Sequence, residues 1–139
     1  MIVLDASVLI AHLDGSDHHR TRAQSLLEAI SDEPWGASAV TLAETLVYPA
    51  RAGRLEEAEA ALVGLDVQEL PLGGGAPGRL AEMRADLGLK MPDCCVLLAA
   101  QNNEAALAAF DAGLISAAEK LGVEVVPDAP QRGQGSGQT

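Results

Sequence analysis

Short apolar runs that stop at an acidic residue, set between longer amphipathic stretches, limit most what this chain can fold into. Ile2-Val3-Leu4 runs into Asp5, and residues 107–110 run into Asp111. Weaker runs at 36–38, 66–70 and 123–126 read as further strands. Helices are predicted over 7–13, 18–30, 41–52, 55–63, 79–87, 93–101 and 116–121. Gly53 and Gly88 supply stops, and Pro92 suits a first helical turn. Brief apolar strands alternating with helices imply an α/β fold, a parallel sheet covered on both faces. Such sheets bind ligands beyond the carboxyl ends of their strands, near the switch in strand order. Asp5 and Asp111, each directly after a strand, are therefore expected on that edge.

The 139 residues fit one domain, assigned to 1–127, with a Gly-, Gln- and Pro-rich tail at 128–139 expected to be disordered. Apolar residues make up 48% and aromatics 2%, so Leu, Val, Ile and Ala must fill the core. The formal net charge of −11 argues against a generic polyanion-binding surface, which needs Lys and Arg. It does not exclude a carboxylate site whose bound cations reverse the local charge. The glycine-rich segment 72–78 lacks the lysine and hydroxyl of a phosphate loop and reads as a turn. Cys94 and Cys95 are neighbours that do not face each other on a helix, so they read as small apolar residues rather than a disulfide. The N-terminus has no basic leader and no run reaches the ~20 apolar residues of a membrane span, so a cytoplasmic protein is expected.

Four acids carry the functional reading, although each has a plain structural alternative. Asp5 can cap the helix after it. Glu44 completes Thr41-Leu-Ala-Glu44, a capping-box pattern. Asp93 lies where a helix dipole favours an anion, and Asp111 can cap the last helix. Together they sit at predicted strand ends and helix starts, so they can share one rim. Ionised carboxylates in apolar surroundings are costly unless a cation neutralises them. Hard oxygen donors suit Mg²⁺ or Mn²⁺ rather than zinc. His12, His18 and His19 have no zinc-binding spacing; His12 reads as packing, His18 and His19 as surface residues of a helix. Such an ion orients and activates water at a phosphodiester, with no covalent nucleophile required. Ser7 can hydrogen-bond a ligand or water there, or merely serve as an N-cap.

At these residues the chain resembles the PIN-domain family, and within it the toxin ribonucleases of VapBC-type toxin–antitoxin modules. The matching blocks are MIVLDASVLIAHL, SAVTLAETLVYPARAG, GLKMPDCCVLLAA and LAAFDAGLISAAEKLGVEVV, in the family's order. The resemblance implies a three-layer Rossmann-like sheet of about five parallel strands. It implies Mg²⁺- or Mn²⁺-dependent RNA cleavage, with Asp5, Glu44, Asp93 and Asp111 at the metal-binding positions and Ser7 at the hydroxyl position. It also implies a homodimer restrained by a cognate VapB-type antitoxin.

The chain departs from the family pattern at Ala109, where a Thr or Ser commonly precedes the last acidic motif. Arg51, Arg54 and Lys90 are candidate RNA contacts, or simply cations at helix ends. Three rivals remain: a binding-only module that grips a basic partner, a metal-dependent phosphatase of another α/β family, and a receiver-type signalling domain. Ser7 stands where the phosphatase wants a second aspartate, and the receiver wants adjacent acids after the first strand.

Overall fold

Ile2, Val3 and Leu4 form strand β1, buried along its whole length. Successive side chains point to opposite faces, so Val3 enters one core and Ile2 and Leu4 the other. The structure, a computed structural model, describes residues 1–127. After β1 come α1 (Ala6–Leu13), α2 (Arg20–Ala29), β2 (Trp35–Ser38), α3 (Ala39–Arg51) and α4 (Leu55–Gly64). Then follow β3 (Val67–Leu70), α5 (Ala76–Leu87), α6 (Met91–Asn102), β4 (Ala106–Ala108) and α7 (Ala112–Lys120).

The strands form one parallel sheet in the order β3-β2-β1-β4. The chain walks outward from β1 to β3 and then crosses back to place β4 on the other side of β1. The switch in strand order thus falls between β1 and β4. Of the fifth strand expected at 123–126, only a parallel bridge forms, between Leu107 and Val125. The Leu107 N–H donates to the Glu124 carbonyl, and the Val126 N–H donates to the Leu107 carbonyl, both at 2.8 Å. The segment continues the sheet beyond β4 by a single step.

Helices cover both faces. Leu9 of α1, Leu26 and Leu27 of α2 and Leu62 of α4 pack with Ile2 and Leu4. Met83 of α5, Leu97 and Leu98 of α6 and Leu114 of α7 pack with Val3 and Leu107. Helix α6 is buried at every residue from Cys94 to Ala100, as a helix apolar all round should be. Cys94 and Cys95 are free thiols within that stretch. Among the described residues, no helix is long and apolar enough to cross a membrane.

Several boundaries differ from expectation. Helix α5 starts at Ala76 rather than 79, because Gly75 takes a left-handed φ of 76° and Pro77 suits the first turn. Helix α7 starts at Ala112, directly after its cap, rather than at 116. His18 and His19 lie in the turn before α2, not within it. Strand β4 stops at Ala108, so Ala109 and Phe110 separate it from Asp111. The expected tail at 128–139 lies outside the described residues.

Candidate active site

Asp5 leaves the end of β1, is 7% exposed, and is the N-cap of α1. Its Oδ2 accepts the Ser7 N–H at 3.3 Å and the Ser7 hydroxyl at 2.6 Å. Ser7 is therefore not the N-cap but a first-turn residue that holds the cap. The same hydroxyl accepts the Phe110 N–H at 3.3 Å, which ties the loop after β4 to the loop after β1. Asp111 caps α7, its Oδ1 accepting the Gly113 N–H at 3.0 Å. The capping alternatives for Asp5 and Asp111 are thus real, and they coexist with placement beside the switch in strand order.

Glu44 does not close a helix start. Ser38 is the N-cap of α3, and its hydroxyl accepts the Thr41 N–H at 3.3 Å. Thr45 donates its hydroxyl to the Thr41 carbonyl at 2.9 Å. Ser38, Thr41 and Thr45 form a buried polar strip along α3, and composition alone did not single it out. Glu44 sits one turn into α3 and is exposed. Asp93 lies half-buried in the first turn of α6, after Pro92, as expected.

The carboxylates feel one another. Burial pushes the Glu44 carboxyl above its ordinary range, and Asp5 and Asp93 push it further. Burial likewise raises Asp93, with Asp5 and Asp111 adding to the shift. Lys90, the residue before α6, partly offsets both. One field links all four acids, although among the described residues no three His, Cys, Asp or Glu side chains form a ready-made cage for an ion. Carboxylates so spaced leave room for water ligands beside any cation held there.

From Glu44 an open groove of about 290 Å³ runs between α1, α3 and α4, lined by Ile10, Leu13, Tyr48, Pro49 and Ala61, with Arg54 and Glu57 on its wall. Arg54 also acts on Asp14, whereas Arg51 ends α3 without lining the groove. Ala109 is buried against the α6–α7 core. The next residue, Phe110, donates its N–H to the Ser7 hydroxyl. His12 is half-buried with no hydrogen-bond partner for Nδ1 among the described residues, and burial followed by the Arg20 charge lowers its pKa. Phe110, absent from the sequence-derived site, contacts Arg22 and His19.

A family model described as PIN domain matches residues 2–120. No curated protein matches the chain. Among solved structures, the chain is similar to VapC20 of Mycobacterium tuberculosis, described as a sarcin-ricin loop cleaving toxin. The identity is 17% over 94% of this chain and 100% of that chain, with a TM-score of 0.70. FitAcB from Neisseria gonorrhoeae is 21% identical over 91% of this chain and 97% of its own, with a TM-score of 0.69. VapBC2 from Rickettsia felis, bound to a promoter DNA fragment, gives 14% over 94% and 100%, with a TM-score of 0.68. At these identities the likeness is one of fold.

Proposed function

The chain belongs to the PIN-domain family, and on that premise we propose that it is a metal-dependent endoribonuclease, the toxin of a VapBC-type module. The observation that carries this reading is the shared field of Asp5, Glu44, Asp93 and Asp111 at the switch in strand order. The donors are all hard oxygens, and the repulsion that raises Glu44 and Asp93 is what a divalent cation relieves. The set fits Mg²⁺ or Mn²⁺. When bound, the ion polarises the attacking water and neutralises charge on the phosphoryl oxygens.

The chain's own residues do the positioning. Ser7 donates both its N–H and its hydroxyl to Oδ2 of Asp5, which fixes the carboxylate and leaves Oδ1 out of either contact. Asp111 is oriented by Gly113 in the same way. Glu44 and Asp93 face this pair from two further helices. Lys90 places a positive charge near both, suited to a phosphate entering the cleft.

A toxin-antitoxin complex from Klebsiella pneumoniae, similar in fold, supports a cognate antitoxin for this chain, and the homodimer is carried over from the family resemblance. The groove beside Glu44, with Tyr48 63% exposed at its edge, offers an apolar surface for such a partner.

The test is RNA cleavage by purified protein with Mg²⁺ or Mn²⁺ against EDTA, beside Asp5→Ala. We expect both EDTA and the substitution to abolish cleavage. Cleavage that survives both would refute the metal mechanism. A folded, metal-binding protein that cleaves no RNA would establish the binding-only reading, which the Ala109 departure motivates.

A further inference from the structure

We propose that His18, His19, Arg22 and Phe110 form a subsite that holds the unpaired nucleotide flanking the scissile phosphodiester, a proposal that rests on the ribonuclease reading above. Phe110 is the only phenylalanine in the chain, and it stands directly before Asp111. Its N–H reaches Ser7, which in turn holds Asp5, so the ring is fixed one hydrogen-bonded residue from the acidic site.

Two side chains from the turn and first turn of α2 meet this ring, and a third lies against one of them. The Arg22 guanidinium lies 4.1 Å from its centroid. The His19 ring lies 5.7 Å from it at 34°, and His18 follows at 3.9 Å from His19. A continuous run of flat groups thus leads from Asp111 outward to His18, which is exposed. Single-stranded RNA is held this way, by stacking on aromatic rings and guanidinium planes rather than by reading a groove.

Charge points to the same place. The segment His18-His19-Arg20-Thr21-Arg22 is the densest basic stretch in a chain whose net charge is −11. RNA approaching so acidic a molecule needs a local cationic landing point, and this one adjoins the acids. A purely structural role explains the half-buried Phe110, which packs against the α1–α2 core. It does not explain an exposed histidine ring tilted against a second one.

The test uses fluorescence anisotropy of a labelled, mixed-sequence single-stranded RNA 12-mer, with Mg²⁺, on the full chain carrying Asp5→Asn to stop cleavage. In that background His18→Ala and Arg22→Met are compared with Lys120→Met, an equal charge change at the far end of α7. We expect each subsite variant to weaken binding about tenfold, and Lys120→Met to change it less than twofold. Arg22→Met should also lower the salt dependence by about 0.7 in logarithmic slope. With Asp5 restored, the same variants should raise KM while kcat holds within about twofold. Phe110→Trp, which keeps a stacking face, should bind as the parent does. Subsite variants that bind like the parent, or that lose no more than Lys120→Met, overturn the proposal. That outcome leaves the ribonuclease reading standing as long as Asp5→Ala abolishes cleavage.

Discussion

Ser7 donates to Asp5 and accepts from Phe110, so one hydroxyl joins the loops after β1 and β4. Ser7→Ala strands the Phe110 N–H and loosens the carboxylate, for about 1 kcal/mol of stability. We expect RNA cleavage to fall at least tenfold, far more than a loss of that size explains, and Ser7→Thr to recover part of it. Equal cleavage by Ser7→Ala in a turnover assay would show the hydroxyl to be structural only. Glu44 and Asp93 give a signed pH effect. Their folded pKa values lie above the ordinary 4.5 and 3.8, so the folded chain holds more protons just above those values. Their contribution to stability is therefore greatest below 3.8 and declines as pH rises through the raised values. Glu44→Gln and Asp93→Asn should raise the Tm of EDTA-treated protein at pH 7, with the gain gone at pH 3.5. A lower Tm at pH 7 in thermal melts would contradict the repulsion. The residue types of this site were legible in the sequence because acids beside apolar runs stand out. Their coupling was not, since it depends on distances across α3 and α6.

Strand β2 shows why some elements were faint in the sequence. Its four residues, Trp35-Gly-Ala-Ser38, have no alternation of large apolar groups, because two of them are committed to other tasks. Ser38 caps α3. Gly36 lies under Leu70 of β3, and a Cβ there would meet Leu70 side-chain atoms at 2.6, 2.7 and 3.0 Å. Gly36→Ala should cost about 1–3 kcal/mol by overpacking. Urea unfolding should show a lower midpoint at unchanged m. Leu70→Ala removes the obstructing atoms, so the double variant should lose less than the sum of the singles. Strict additivity would mean that the strain lies elsewhere. The same competition moved the start of α3: Thr41-Leu-Ala-Glu44 matched a capping box, but Ser38 offered an equally good cap three residues earlier. Helices α1 and α4 were legible to within one residue, since the strand-ending Asp5 and the turn at Arg51-Ala-Gly-Arg54 mark where they begin. The fifth strand was overestimated because Val123 to Val126 carries strand-forming side chains, yet only Val125 meets a partner, Leu107.

For the whole molecule the governing quantity is the net charge of −11, which any divalent cation screens to some degree. A rise in Tm with Mg²⁺ or Mn²⁺ is therefore evidence for the site only if it can be separated from general screening. The sheet itself supplies the control. At its amino end Glu33, Glu104 and Glu124 surround a second, shallow acidic hollow beside Met1. This hollow holds three carboxylates against the four of the proposed site, with Glu33 paired to the Met1 ammonium at 3.5 Å, and it lies away from the switch in strand order. Binding at the proposed site stabilises by about 2.7 kcal/mol when the ion is at a hundredfold excess over its Kd. We expect Asp5→Asn to remove most of the Mg²⁺-induced shift, and the paired change Glu104→Gln with Glu124→Gln to leave it intact. Both variants lose formal negative charge, the control losing more, so screening predicts the larger loss of shift in the control. Site binding predicts the reverse order. Melts at fixed ionic strength, with Na⁺ replaced by Mg²⁺ at equal screening, decide between them.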